Sequence, residues 1–361
     1  MKRILVTGAG GSAGINFIAS IRMSSERHHV VGGDMNRWHL ELPDVDEAVL
    51  LPHCWDPEYV ASLCEVIERH RIDLLYVQPD MELEVVSARR EKIPARMFIP
   101  SHDAIVACHD KMETNKRLGD ANVPVPLSYR IERAEDVAGL LTVVLERSDV
   151  AWLRAIKGAG SRAALPVRTA RHAREWIHYW RSTGRLETSD FMLAEFLPGR
   201  EFAFQSLWSE GRLVTSQARE RLEYVFGNLM PSGQSSSPSV ARTVHRADVN
   251  DVATRAIHAV DPTPHGVYCV DMKESSEGVP SVTEINVGRF FTTSNFFAAA
   301  GSNMPEMLVK LAFGEPLPEM PPYDALPVGL HWIRLIDKGP VLVREGEFRT
   351  ADRVPEPAHG S

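Results

Sequence analysis

The chain has 361 residues, 44% hydrophobic and 24% charged, with a formal net charge of -8. That length suits two or three domains of an ordinary globular protein, and the acidic excess without a long basic stripe excludes the electrostatic footprint of a nucleic-acid binder. The four cysteines, Cys54, Cys64, Cys108 and Cys269, stand apart without CxxC or CxxH spacing, which speaks against a structural zinc site or a disulfide framework and suits a reducing cytoplasm. Between Arg3 and Thr7 lie only three apolar residues, too few for a signal peptide or a membrane span, so no membrane partner is expected.

Ile4-Leu5-Val6 reads as a buried strand that breaks into glycine at Gly8, Gly10, Gly11 and Gly14 and turns into a helix carrying Ile15, Ile18, Ala19 and Ile21. Further apolar runs follow at Val30-Val31, Val49-Leu50-Leu51, Leu74-Leu75-Tyr76-Val77 and Phe98-Ile99. Between two of them lies a helix, with Asp56 as its cap, Pro57 at its first position, and Val60, Leu63, Cys64 and Ile67 on one face. Strands alternating with helices predict a parallel sheet wrapped on both sides. His28-His29 reads as a surface pair.

Thr7, Gly8, Gly11 and Gly14 fit TGxxGxxG, and Asp34 ends the second strand. Both suit a dinucleotide site, and so an NAD(P)-dependent oxidoreductase. Reductases with this loop generally carry a YxxxK pair, yet no tyrosine here has a lysine four residues later. Small residues are equally required wherever a strand turns tightly into a packed helix, so both readings stay open on the loop alone. Asp80, Glu82 and Glu84 come just after a strand, where they would attract a cationic amine or favour the N-terminus of the next helix.

From Lys111 the character changes. "HDKMETNKRLGDANVPVP" is a polar helix start, an amphipathic helix and a proline-punctuated exit. In "AWLRAIKGAGSRAALPVRT" an apolar strand delivers Arg154 and Lys157, then a turn with Gly158, Gly160 and Ser161, a sound way to hold polyphosphate. "MLAEFLPGREFAFQSLW" places Glu195, Phe196, Leu197, a Pro-Gly turn and Glu201 in one segment. Arg219 and Arg221 precede a Gly/Ser-rich loop from Ser232 to Ser239; they suit a substrate carboxylate, and the loop suits a closing lid. "GVYCVDMKESSEGVPSVTEINVGRF" reads as a hairpin in which Glu284 and Asn286, two residues apart, face the same way with Asp271 alongside. Two carboxylates and an amide oxygen are hard ligands suited to Mg²⁺. After Gly314 comes a proline-rich stretch, then two short strands joined by a Gly-Pro turn, expected to cover the core or to form a contact in a homodimer. The final "PEPAHGS" is expected to be disordered.

Taken in order, these segments resemble the ATP-grasp superfamily from the N-terminus to about residue 320, with the carbamoyl-phosphate-synthetase-like, biotin-carboxylase-like and pyrrolysine-biosynthesis-type ligases as the nearest look. The resemblance implies an α/β chain with a Rossmann-like front domain over 1–108, a small lobe with its connecting helix over 109–196, a large lobe with the metal site over 197–320, and C-terminal strands and tail over 321–361. It implies ATP and Mg²⁺ as cofactors and small-molecule carboxylate and amine substrates, joined through an acyl phosphate. In the relatives the front glycine loop faces the acceptor substrate. "DKxxT" matches Asp110 to Thr114, so Lys111 is expected at the phosphates. Arg154 matches the cation before the GxGSR turn, which Gly160, Ser161 and Arg162 match, and Arg154 is favoured over Lys157 as the phosphate grip. Backbone groups of Glu195, Phe196 and Leu197 are expected to face adenine, where Ala194 replaces a common glutamate, and Glu201 to take the ribose. Asp271, Glu284 and Asn286 match the metal ligands, and Arg289, one residue later than usual, would stabilise the transferring phosphoryl group or form a salt bridge. A nucleotide-binding protein without catalysis would share all these features.

Overall fold

The runs Ile4–Val6, Val30–Val31 and Leu74–Val77 are too short for a helix and fold as strands buried on both faces, whereas the strand Glu47–Leu50 is partly exposed. In the computed structural model, which describes residues 1–158, 163–230, 233, 235, 237–335 and 339–345, β1 (Arg3–Thr7), β2 (His29–Asp34), β3 (Glu47–Leu50) and β4 (Leu74–Val77) form a parallel sheet in the order β3-β2-β1-β4. The helices between and after them are α1 (Ser12–Arg22), α2 (Tyr59–Arg69), α3 (Asp80–Ser87) and α4 (His102–His109).

Three local expectations are corrected. Helix α2 begins at Tyr59 rather than Pro57, because Asp56 builds a turn ahead of it, its carboxylate accepting the Glu58 N–H at 2.9 Å and its carbonyl the Tyr59 N–H at 3.0 Å. Phe98 and Ile99 are buried but form no strand; Pro94 and Pro100 interrupt the ladder, and the segment pairs only at the single bridge Leu74↔Arg96. His28 is no surface residue but 2% exposed, its Nε2 at 3.1 Å from Glu306.

The glycine loop is closed by the protein itself. Asp34 accepts the Gly10 N–H at 3.1 Å and the Asn36 N–H at 2.9 Å. A side chain on Gly10 would collide with the His39 backbone, and one on Gly14 with the Gly8 carbonyl. The ground where a pyrophosphate would approach Gly10 is thus taken by His39, and the Asp34 carboxylate is spent on the loop. This favours packing as the reason for these glycines.

The second unit holds α5 (Lys111–Asp120), β5 (Ser128–Arg130), α6 (Val137–Leu145), β6 (Ala151–Ala155), β7 (Leu165–Val167), α7 (Ala170–Ser182) and β8 (Phe191–Glu195), with an antiparallel sheet ordered β5-β8-β6-β7. Asp110 caps α5 by accepting the Met112 and Glu113 N–H groups at 2.9 and 3.1 Å. Alternation along β6 sends Leu153 into the lobe's core and leaves Trp152 and Arg154 on the opposite face.

The third unit holds β9 (Glu201–Ser209), β10 (Arg212–Tyr224), β11 (Pro238–Val244), α8 (Ala247–Val260), β12 (Gly266–Glu274), β13 (Pro280–Val287), α9 (Ser294–Ala299), α10 (Met304–Ala312), β14 (Leu330–Leu335) and β15 (Gly339–Arg344). Its antiparallel sheet runs β13-β12-β9-β10-β11-β14-β15. One face, with Phe202, Phe204, Val270 and Ile285, packs in a core shared with α8 and with Leu63 and Leu83 of the front unit. The two late strands extend this sheet, and Trp332 on β14 is fully buried with its ring stacked 5.3 Å from Phe296, so β14 covers core. Residues of "PEPAHGS" lie outside the described ones. No helix among the described residues is long and apolar enough to cross a membrane.

Because Gly10 touches His39 backbone, Gly10→Ala should cost roughly 1–3 kcal/mol by overpacking. Urea unfolding measures it, and a variant as stable as the wild type would show that the loop is not packed as described.

Candidate active site

Antiparallel pairing lines up side chains in rows across a sheet. In the large sheet Glu284 pairs with Asp271, Asp271 with Ala203, and Ala203 with Arg219, so these residues form one row over β13, β12, β9 and β10. The neighbouring rows contain Asn286–Cys269–Gln205 on one side and Lys273–Glu201–Arg221 on the other. Ala203 is fully buried and small, which leaves room above β9 for the arginines of β10 to reach β12. Arg221 Nη2 donates to Asp271, and Asn286 Nδ2 donates to the other oxygen of the same carboxylate at 3.1 Å.

Two carboxylates opposite one another repel, so cations must surround them. Arg154 Nη2 lies 3.1 Å and Lys111 Nζ 3.3 Å from the two oxygens of Glu284. Burial pushes the Glu284 carboxyl up, but Lys111 and Arg154 outweigh it and hold its pKa down at about 2. Burial pulls the Lys111 ammonium below its ordinary value, against the attraction of Glu284; its Nζ also donates to the carbonyls of Ile156 and Gly158 at 3.3 and 2.9 Å. Arg221 is raised, because Asp271 overcomes the cost of its burial. Arg219 has no carboxylate on it among the described residues, and its pKa falls to about 9, mainly through burial. Its guanidinium sits 4.9, 5.3 and 5.7 Å from the rings of Phe291, Phe297 and Trp332, with Nε and Nη1 unpartnered among the described residues. Arg289 makes a two-point ion pair with Asp80 and donates to Asn286 Oδ1 at 2.7 Å, which is the salt bridge among its two expected roles.

Apart from Lys111 and Asp80, these groups line a cavity of about 270 Å³, which Trp152, Met192, Phe196 and Leu197 wall on its apolar part. Phe196 and Leu197 follow β8 and lie outside its strand pairing. Glu195 turns its carboxylate to the Leu127 N–H at 3.3 Å and to Arg147 at 3.7 Å. Glu201 pairs with Lys273 at 2.9 Å and accepts the Tyr224 hydroxyl. Arg154 lines this cavity, whereas Lys111 and the exposed Lys157 line a second one of about 340 Å³. The second cavity meets the first at Glu284 and Asn286. Gly160, Ser161 and Arg162 lie outside the described residues, as does part of the 232–239 loop, of which Ser235 lines the first cavity.

Of the acidic trio after β4, Asp80 binds Arg289, Glu82 accepts the Tyr59 hydroxyl at 3.0 Å, and Glu84 binds His109 at 2.8 Å. None is left as a free attractor for an amine. Sequence reasoning missed Trp152, Met192, Tyr224 and the Glu84–His109 pair. Trp152 was readable, since it stands two residues before Arg154 on one strand; the others depend on contacts between distant segments.

The carboxyl of Glu284 ionises at about 2 in the folded chain against an ordinary value of 4.5, so its contribution to stability is full above the unfolded value and is lost as pH falls toward the folded one. Glu284→Gln should therefore flatten the fall in unfolding free energy between about pH 5 and pH 3. Urea titrations of both proteins at the two pH values measure this; equal slopes would refute the pairing.

No protein-family model matches the sequence, and no curated protein matches it. Among solved structures the chain is similar to L-amino acid ligase from Bacillus licheniformis, with a TM-score of 0.68 and 14% identity over 92% of this chain and 79% of that one. It is similar to carboxyaminoimidazole ribonucleotide synthase from Aspergillus clavatus, complexed with ATP, at a TM-score of 0.66 and 14% identity over 92% and 81%. It is also similar to the biotin carboxylase domain dimer of Hydrogenobacter thermophilus 2-oxoglutarate carboxylase, complexed with MgADP, ADP and bicarbonate, at 0.68 and 14% over 92% and 73%. Identities this low speak to architecture, and the architecture these ligases share is the ATP-grasp fold. The chain is built on that fold, behind a parallel-sheet front unit.

Proposed function

We propose that the protein is an ATP- and Mg²⁺-dependent carboxylate–amine ligase that forms an amide or peptide bond through an acyl phosphate. The observation that carries this reading is the row Glu284–Asp271–Ala203–Arg219, whose charged members line a cavity that also has an apolar, aromatic part. Such a cavity suits a purine in one part and a polyphosphate with its metal in the other. The neighbours described with ATP and with MgADP support it.

In this reading the adenine lies against Trp152, Met192, Phe196 and Leu197, and Glu201, held by Lys273 and Tyr224, takes the ribose. Arg154 and Lys111 bind phosphate oxygens, with Gly160 and Ser161 of the turn. Asp271, Glu284 and Asn286 fit a hard divalent cation by donor type and by their places on adjacent strands. Mg²⁺, when bound there, supplies charge neutralisation on the phosphates. Arg289, anchored by Asp80, orients the Asn286 amide. Arg219 and Arg221 hold the charged substrate carboxylate; Arg219, caged by aromatic rings and with no anion on it among the described residues, suits a carboxylate most directly. That carboxylate attacks the terminal phosphoryl group, ADP departs, and an amine then displaces phosphate from the acyl carbon. Positioning and electrostatics suffice for the first step, since the nucleophile is already ionised. Free cysteines at all four positions agree with a place in the cytoplasm.

Two measurements test the reading. Mg·ATP should raise the thermal midpoint and NADPH should not; the reverse would favour the oxidoreductase. ADP release with a panel of acids and amines should fall at least ~10²-fold in Glu284→Gln, while its circular dichroism spectrum stays that of the wild type. Unchanged turnover would remove the metal site.

A further inference from the structure

The second cavity shares Glu284 and Asn286 with the first and is lined by residues of the front unit and of the small lobe. Trp55, Asp80, Met81 and Glu84 line it from one side and Lys157, Gly158 and Asp190 from the other. His109, the last residue of α4, also lines it. Its Nδ1 is 2.8 Å from Glu84 Oε2 on α3, and its Nε2 is buried with no partner among the described residues. Helices α3 and α4 are tied a second time by His102 and Ser87 at 2.9 Å, so the helix pair that carries Glu84 and His109 is pinned at both ends of α4. A carboxylate on Nδ1 keeps the proton there and leaves Nε2 as a free lone pair. An acceptor nitrogen that is buried, oriented by a carboxylate and placed beside Glu284 and Asn286 has the form of a general base.

Resting on the ligase reading, we propose that His109, oriented by Glu84, is the base that deprotonates the attacking amine, and that the second cavity holds a primary alkylammonium substrate. His109 Nε2 takes one proton from the ammonium. The freed nitrogen forms the C–N bond to the acyl carbon as the bond from that carbon to the phosphate oxygen breaks. Phosphate leaves with that electron pair and carries off the second N–H proton, so the amide nitrogen keeps one. The charged groups around the imidazole are Asp80 and Glu84 from α3, Lys111 at the start of α5, Lys157, Asp190 before β8, and Glu284 on β13. Asp80 is neutralised by Arg289, Glu284 by Lys111 and Arg154, and Asp190 accepts the Glu187 N–H at 2.8 Å, while Glu84 is the carboxylate bonded to His109.

The test compares two nucleophiles. Wild type, His109→Gln and Glu84→Gln are given Mg·ATP and the twenty proteinogenic amino acids, with and without hydroxylamine, which is unprotonated at neutral pH and needs no base. Amides are read by mass spectrometry and hydroxamates by colour with ferric ion. The ratio of amide to hydroxamate should fall about 10²-fold in His109→Gln at neutral pH, less in Glu84→Gln, and recover as pH rises and the amine loses its proton unaided. An unchanged ratio, or a fallen ratio that alkaline pH does not restore, overturns the base role. Wild type that makes neither product overturns the ligase reading, and this inference with it.

Discussion

Two carboxylates held side by side in a buried cleft are the constraint around which the structure is organised. Asp271 and Glu284 are direct cross-strand partners, and like charges so placed destabilise a sheet unless cations lie within reach. The cations come from three separate parts of the chain: Arg221 from the neighbouring sheet region, Arg154 from the small lobe, and Lys111 from the helix that links it to the front. The site therefore joins the small lobe to the large sheet. On the ligase reading, the same cations are those a triphosphate would recruit when a metal takes over the carboxylates, so the charge balance present without ligand is the one the ligands would exchange.

The front unit serves this cleft rather than competing with it. Its parallel sheet places Asp80, the first residue of α3 after β4, against Arg289, and Arg289 against Asn286. Tyr76 on the same strand stacks on Phe17 at 3.6 Å and accepts the Phe290 N–H at 3.0 Å, fixing the loop that follows β13. The glycine turn that most resembles a cofactor site is filled by His39 and held by Asp34, which makes it a joint between β1 and α1.

The neighbouring cavity changes how the acidic residues of α3 are understood. Read as sequence they would attract a cationic amine or favour the N-terminus of the next helix. In the fold each has a partner, and the partners divide the labour: Arg289 toward the metal-type ligands, Tyr59 within the front unit, and His109 toward the second cavity. The shared lining at Glu284 and Asn286 joins the two chambers at one strand.

By itself the sequence determined the alternation of strands and helices, the hairpin that puts Glu284 and Asn286 on one face, and the place of Arg154 on a strand, because each follows from periodicity two or from a turn within a few residues. It also carried the order of motifs that resembles ATP-grasp ligases. Only the tertiary structure decided that Ala203 opens the row to the arginines, that Arg219 stands caged with no anion on it among the described residues, that His28 is buried against Glu306, and that His109 meets Glu84. Those are contacts between segments far apart in the chain. No local pattern encodes them, since partner choice there is set by which strands become neighbours and by the charge that burial obliges each side chain to satisfy.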